Sequence, residues 1–249
     1  MTTRLRVVTL NIHKGLSQFN TRMVIHELRV GLGALDPDLV FLQEVQGLNQ
    51  RFALRYAACP PEGQHEFLAG KELQHVYGRN HVHQHGHYGN ALLSRFPIVS
   101  SENEDVSDHR FERRGLLHTV LKVPGWRRNL HCVCVHLSLH ERGRRRQLDA
   151  IAARLEKLAD KRLPIIVAGD FNDWSQRASG ILEKSLGMTE VSIAADGRHS
   201  RTFPSLLPMF RLDRIYVRGF KVLSTQVHRG PPWSQLSDHL AVSAELERA

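Results

Sequence analysis

Short apolar runs recur along the whole chain, and most follow one another with too little sequence between them for a helix. RLRVVTL (4–10), DLVFLQEV (38–45), NALLS (90–94), LLHTVLKV (116–123), LHCVCVHLSL (130–139), PIIVAG (164–169), RLDRIYV (211–217) and DHLAVSAEL (238–246) all read as strands. Only two segments carry a convincing helical stripe. In 21–35, Val24, Leu28, Leu32 and Leu35 recur at helical spacing until Asp36-Pro37 stops them. From Arg144 to Ala159, Leu148, Ile151, Ala152, Leu155 and Leu158 form one face. Many strands with few helices predict two packed sheets with flanking helices, not a doubly wound parallel sheet. No internal repeat and no Pro/Ser-rich linker interrupts the pattern, so residues 1–249 are expected to form a single domain.

The 249 residues are 41% hydrophobic, enough for a substantial core. A formal charge of +9 favours anionic partners: nucleic acid, phosphorylated small molecules or acidic lipid headgroups. Cys132 and Cys134 share one face of a strand and read as buried small hydrophobes, while Cys59 lies apart beside Pro60. Zinc-type cysteine pairs are missing, as is an N-terminal secretion signal, and no apolar run approaches the ~20 residues that span a bilayer. A cytoplasmic monomer is the expectation.

The chemistry gathers where strands end. Asn11, Glu44, the pair Asp170/Asn172 and Asp238 each stand at the border of an apolar run. Mg²⁺ and Mn²⁺ prefer carboxylate, amide and water oxygens, so convergence of these ends would build a pocket for such an ion. Each residue alone has an ordinary explanation. Glu44 would be a solvated strand end, GDFND an Asx turn, and Asp238-His239 a cap.

TLNIHKG, FLQEV, YGNALLSRFPI, VHLSLHERGRRRQ, GDFND, LDRIYV and SDHLAV occur in this order along nearly the whole chain. Together they resemble the endonuclease/exonuclease/phosphatase superfamily, which includes pancreatic-type deoxyribonuclease, and within it the bacterial YbhP-type branch. The resemblance implies a four-layer α/β sandwich with two central, mainly antiparallel β-sheets flanked by helices and a site at one end. It implies a metal-dependent phosphoric ester hydrolase using Mg²⁺ or Mn²⁺. Carried over by position, Glu44 holds the metal with Asn11 beside it, and Asp238 is a further metal contact. Asp170 orients and deprotonates the attacking water, and Asn172 holds a phosphate oxygen or a metal-bound water. His239, oriented by Asp213, contacts the phosphate and moves protons, and His136 contacts the phosphate or the leaving oxygen. Asn90 of YGNALLS lines the cleft, and Arg114 presents a planar fork to phosphate.

Three features carry less. Arg142, Arg144, Arg145 and Arg146 open a helix against its macrodipole, which favours a functional or solubility role. The alternating histidines His81, His83, His85 and His87 read as a mobile polar loop or a lip of the cleft in preference to a second metal site. Trp126, Trp174 and Trp233 are scattered and suggest no stacking platform. The expected function is hydrolysis of DNA or RNA phosphodiesters. The alternatives are a phosphodiesterase or phosphatase for lipid headgroups or small phosphoesters, and a non-catalytic nucleic-acid-binding module. Nothing in the sequence suggests a long lipid-inserting hairpin, which weighs against a lipid substrate.

Overall fold

The computed structural model describes residues 3–109, 112–158, 160, 162–174, 176 and 178–249, without the side chains of 178 and 179. Two six-stranded sheets lie at its centre. The first contains β1 (Arg4–Asn11), β2 (Leu39–Asn49), β3 (Gln74–His83), β4 (Gly86–Ser94), β11 (Phe220–Val227) and β12 (Val242–Arg248), in the order β11-β12-β1-β2-β4-β3. The second contains β5 (Ile98–Asp105), β6 (Gly115–Leu121), β7 (Leu130–His136), β8 (Ile165–Asp170), β9 (Thr189–Glu190) and β10 (Asp213–Arg218), in the order β5-β6-β7-β8-β10-β9. Within each sheet one central pair is parallel, β1/β2 in the first and β7/β8 in the second; the other pairings are antiparallel.

A parallel pair needs a crossover, and the two helices legible in the sequence supply them. α1 (Ile25–Ala34) joins β1 to β2, and α4 (Glu141–Glu156) joins β7 to β8. The central strands are apolar on both faces because both are covered. In β1, Leu5 and Val7 enter the core between the sheets, while Val8 and Leu10 pack outward under α1 (Leu28, Leu32), α3 (Gln64–Ala69; Leu68) and α7 (Trp233–Leu236). Outside the second sheet, α4 and α5 (Ala178–Leu186) contribute Leu148, Ile151, Leu155, Leu182 and Leu186. Helix, sheet, sheet and helix give the four layers. Cys132 and Cys134 are free thiols buried between the sheets, as expected.

Several expectations need correction. α1 begins at Ile25 and not at residue 21, after a short 3-10 turn at His13–Gly15 and a bridge between Leu16 and Met23. α4 begins at Glu141, whose carboxylate suits the positive end of the helix, and closes at Glu156; Ala159 lies outside the described residues. The histidine tract is a hairpin and not a loop. His81 and His83 belong to β3 and His87 to β4, with His81 stacked on Tyr88 at 5.0 Å and His87 Nδ1 3.0 Å from the Tyr77 hydroxyl. Because His87 pairs with Val82, it faces away from His81 and His83. The arginines of α4 also divide: Arg144 is buried and donates to the carbonyls of Ser138 and Leu139 at 3.2 and 2.6 Å, whereas Arg146 pairs with Asp108. Among the described residues no helix is long and apolar enough to cross a membrane.

Candidate active site

The carboxyl ends of the two parallel pairs face the same end of the sandwich. Asn11 ends β1 opposite Gln43, and His136 ends β7 opposite Asp170. Asn11 joins the sheets there, because its Nδ2 donates to Asp170 Oδ2 at 3.1 Å and, at 3.5 Å, approaches Glu44 Oε1. Six of the carried-over residues therefore meet through side-chain contacts: Asn11, Glu44, Asp170, His136, His239 and Asp213.

Glu44 reaches this point by a bulge. Leu42 pairs with Ala91 and Val45 with Gly89, so Gln43 and Glu44 together oppose Asn90. Glu44 takes a left-handed φ of 54°, which breaks the alternation and leaves Gln43 between the sheets, where its amide approaches Thr9 and Cys134. Glycine before Asp170 is equally forced. Gly169 has φ 149°, and a Cβ there would lie 1.9 Å from the Val135 carbonyl oxygen.

Asp170 is 1% exposed and accepts the Asn172 backbone N–H on Oδ1 at 3.0 Å. Its Oδ2 lies 3.5 Å from His136 Nε2 and 3.7 Å from His239 Nε2. Burial pushes the Asp170 carboxyl up to about 6; Asp213 reinforces the shift, and His239 with its hydrogen bonds opposes it. His239 is held at Nδ1 by Asp213 Oδ2, 2.8 Å away. Burial works against its charge, yet the carboxylates of Asp213 and Asp170 raise it to about 10. His136 goes the other way: burial, then the Arg114 charge, hold it well below the ordinary value. One imidazole is thus kept cationic and the other neutral within reach of the same carboxylate.

Two further basic side chains, with no role assigned from sequence, complete the site. His13 Nδ1 is 2.9 Å from Asp238 Oδ2, and Lys14 Nζ is 3.1 Å from Glu44 Oε2. Burial alone would raise Glu44, but Lys14, by its charge and its hydrogen bond, holds it at about 2. Both residues were visible in TLNIHKG; their roles were not, because each depends on a left-handed φ, 46° at His13 and 58° at Lys14. Ser237 was also missed; its hydroxyl donates to the Asn11 carbonyl at 2.6 Å and accepts the His239 N–H at 3.2 Å.

The donor set suits a hard divalent cation. Glu44 Oε2 and Asp213 Oδ1 are buried without an aligned hydrogen bond, and the surrounding donors are amide and carboxylate oxygens. Purely by distance, Asp170, Asp213 and His239 also form a candidate group, their ligating atoms within 4.8 Å of one another. That group fits a metal less well, because Asp213 is engaged by His239 and a protonated imidazole has no lone pair to give. Glu44 and Asp238, with the Asn11 amide beside Glu44, suit the ion better, since Lys14 and His13, which face the two carboxylates, are side chains that a cation can displace.

The remaining expected residues are placed as follows. Asn172, at φ 47°, donates from Nδ2 to the Leu137 carbonyl at 3.0 Å. Asn90 is 1% exposed and ties the sheets together by donating to Gly115 O at 3.0 Å; its Oδ1 is buried without a partner. Arg114 is 9% exposed and donates to Leu137 O at 3.2 Å and Glu112 Oε1 at 3.1 Å, while Glu112 also accepts from Ser138 and Leu139. It therefore holds the loop after β7 as well as facing His136. Arg114→Ala is expected to raise KM and, as a departure from a purely substrate-facing arm, to cost about 1–3 kcal/mol of stability in thermal unfolding.

Trp174 also corrects an expectation. It packs edge-on against Phe210 at 4.5 Å, with Phe203 at 6.4 Å, and the Phe203 ring lies 4.8 Å from that of His239. Trp174 and Phe210 are 41% and 38% exposed, so an aromatic shelf borders the His239 imidazole. Trp126 and Trp233 pack against Phe220 and His228 instead.

Comparison with known proteins agrees with this fold. YbhP of Escherichia coli K12, itself an uncharacterized protein, is 42% identical over 242 residues, covering 97% of this chain and 95% of its own. An endonuclease/exonuclease/phosphatase from Bacteroides vulgatus superposes with a TM-score of 0.78 at 19% identity, covering 100% of both chains. The TDP2 of D. rerio, solved with a single-strand DNA product, superposes with a TM-score of 0.72 at 18% identity over 98% of this chain and 99% of that one. The sequence profile of the Endonuclease/Exonuclease/phosphatase family matches residues 9–239, and the chain belongs to that family.

Proposed function

We propose that this chain hydrolyses phosphodiester bonds of nucleic acid by metal-assisted attack of water. The observation that carries the reading is the Asp170–His239–Asp213 arrangement, in which a carboxylate raised to about 6 stands 3.7 Å from an imidazole raised to about 10. Asp170 is ionised at neutral pH and takes the proton of the attacking water. His239 is protonated there, held by Asp213, and donates to the phosphate as its negative charge grows. Neutral His136 lies 3.5 Å from the same Asp170 carboxylate, which also accepts the Asn172 backbone N–H. Glu44, Asn11 and Asp238 would hold Mg²⁺ or Mn²⁺, which supplies charge neutralisation of the phosphate and of the departing oxygen.

The substrate class is supported by three observations. The chain carries a formal charge of +9. An aromatic shelf suited to stacking a base borders His239. The similar D. rerio TDP2 was solved with a single-strand DNA product. A lipid-borne phosphodiester is the second reading, favoured by one feature the sequence did not disclose: the turn after Phe203 exposes Leu206, Leu207 and Met209 by 58%, 67% and 52%. Turnover of single-stranded DNA, RNA, plasmid DNA and sphingomyelin with Mg²⁺, Mn²⁺ or EDTA tests the proposal. Metal-dependent cleavage of a nucleic acid supports it; cleavage of sphingomyelin alone would favour the second reading, and tight DNA binding without turnover under any metal would leave a binding module.

Glu44→Ala is expected to weaken Mn²⁺ binding at least tenfold by calorimetry without unfolding the chain, because a carboxylate holding a hard cation is removed. Unchanged affinity would take Glu44 out of the metal site.

A further inference from the structure

A second cavity lies beside the catalytic end and takes no part in the chemistry proposed for Asp170 and His239. It has a volume of about 500 Å³, and Arg198, Arg201, Arg211 and Arg229 line it. Among the described residues none of the four guanidinium groups makes an ion pair or a hydrogen bond, and the lining holds a single carboxylate, Asp196. Six arginines elsewhere, Arg6, Arg95, Arg114, Arg128, Arg154 and Arg214, each bond to a carboxylate instead. Four uncompensated cations around one concavity repel each other, and an anion between them relieves that repulsion.

The chain connects this cavity to the chemistry through very few bonds. Arg201 precedes Thr202, whose hydroxyl accepts the Asp213 backbone N–H at 3.3 Å and whose carbonyl accepts the Leu240 N–H at 2.9 Å. Arg211 stands two residues before Asp213. Arg229 follows His228, whose N–H donates to the Ala241 carbonyl at 3.0 Å, two residues beyond His239. The arginines are therefore anchored on the segments that hold Asp213 and His239.

We propose that this arginine cavity is a subsite for a second phosphate of the same substrate, a backbone phosphate flanking the one being cleaved in a single-stranded polynucleotide. The inference rests on the nucleic-acid reading and adds that the preferred substrate carries several phosphates. An Arg fork binds two phosphate oxygens at once, and each neutralised phosphate releases counterions, so binding there has a salt signature.

The test is fluorescence anisotropy with a labelled single-stranded oligonucleotide in EDTA, where nothing is cut, comparing wild type with the double variant Arg201→Ala/Arg211→Ala. Affinity is expected to fall about tenfold or more, and the slope of log affinity against log salt to shrink by about 0.7 for each phosphate no longer neutralised. Arg4→Ala is the charge control; Arg4 opens β1, the strand whose far end carries Asn11, and the slope should not change. Unchanged affinity and slope in the double variant overturn the proposal. So does an equal fall in Arg4→Ala, which reports overall charge only, and so does loss of binding to phosphatidylglycerol vesicles with oligonucleotide binding intact, which would make the cavity and the neighbouring apolar turn a lipid surface. Turnover of bis(p-nitrophenyl) phosphate by wild type, measured separately, distinguishes failure of the catalytic reading from failure of the subsite.

Discussion

Asp170→Asn is expected to lower kcat about 10³-fold, with the thermal midpoint nearly preserved and oligonucleotide affinity unchanged within a factor of a few. The isosteric amide cannot take a proton from water. It also disturbs the local pairing, because Asp170 now accepts from Asn11 Nδ2 and from the Asn172 N–H. An amide can still accept on one atom but must turn its NH₂ toward a donor on the other. The position is buried, so this mismatch costs about 1–3 kcal/mol, too little to unfold the chain. Single-turnover kinetics with saturating Mg²⁺ reads the effect. A decrease of less than tenfold would remove Asp170 from the role of base.

The second large effect concerns the Asp213–His239 pair. In the metal-free protein the His239 imidazole should titrate near 10, measured by NMR. In Asp213→Asn that midpoint is expected to fall by roughly 2 pH units, because the opposite charge 2.8 Å away is lost while burial still disfavours the cation. The sign for stability follows. A histidine whose folded value exceeds its unfolded one stabilises the fold fully below about 6.5 and loses that contribution as pH climbs through about 10. Asp213→Asn should therefore cost stability at neutral pH and little near pH 11. Turnover at pH 8 should fall about 10²–10⁴-fold, chiefly because the imidazole loses the carboxylate that orients it and stabilises its cation, with about half of its proton occupancy lost besides. An unchanged titration would mean that Asp213 does not act through His239.

Buried strands were the readily legible part of the fold. β1, β7 and β8 announce themselves because both faces are covered, so their residues are mostly apolar on both faces. The edges were not legible. β5 is mostly exposed and reads VSSENED after its first residue, and β11 alternates half-buried with exposed positions, so neither carries a burial signal. Short α2 (Gln50–Arg55), α3 and α6 (Val191–Asp196) are six residues each, too brief for a periodic stripe.

For the site, oxygen donors at the borders of apolar strands nominated Asn11, Glu44, Asp170, Asn172 and Asp238, while Asp213 and His239 were nominated by the order of motifs that resembles the family. Tertiary structure decided what each one touches. The bulge that turns Glu44 out of alternation depends on register against β4, which no single strand encodes. Lys14 and His13 become counter-charges only after a left-handed turn brings them to carboxylates far along the chain. The shelf of Trp174, Phe203 and Phe210 and the cavity of four arginines join segments distant in sequence. Local pattern reports burial and hydrogen-bonding capacity residue by residue. Charge pairing, pKa and surface shape belong to groups brought together across the chain, so only the folded molecule sets them.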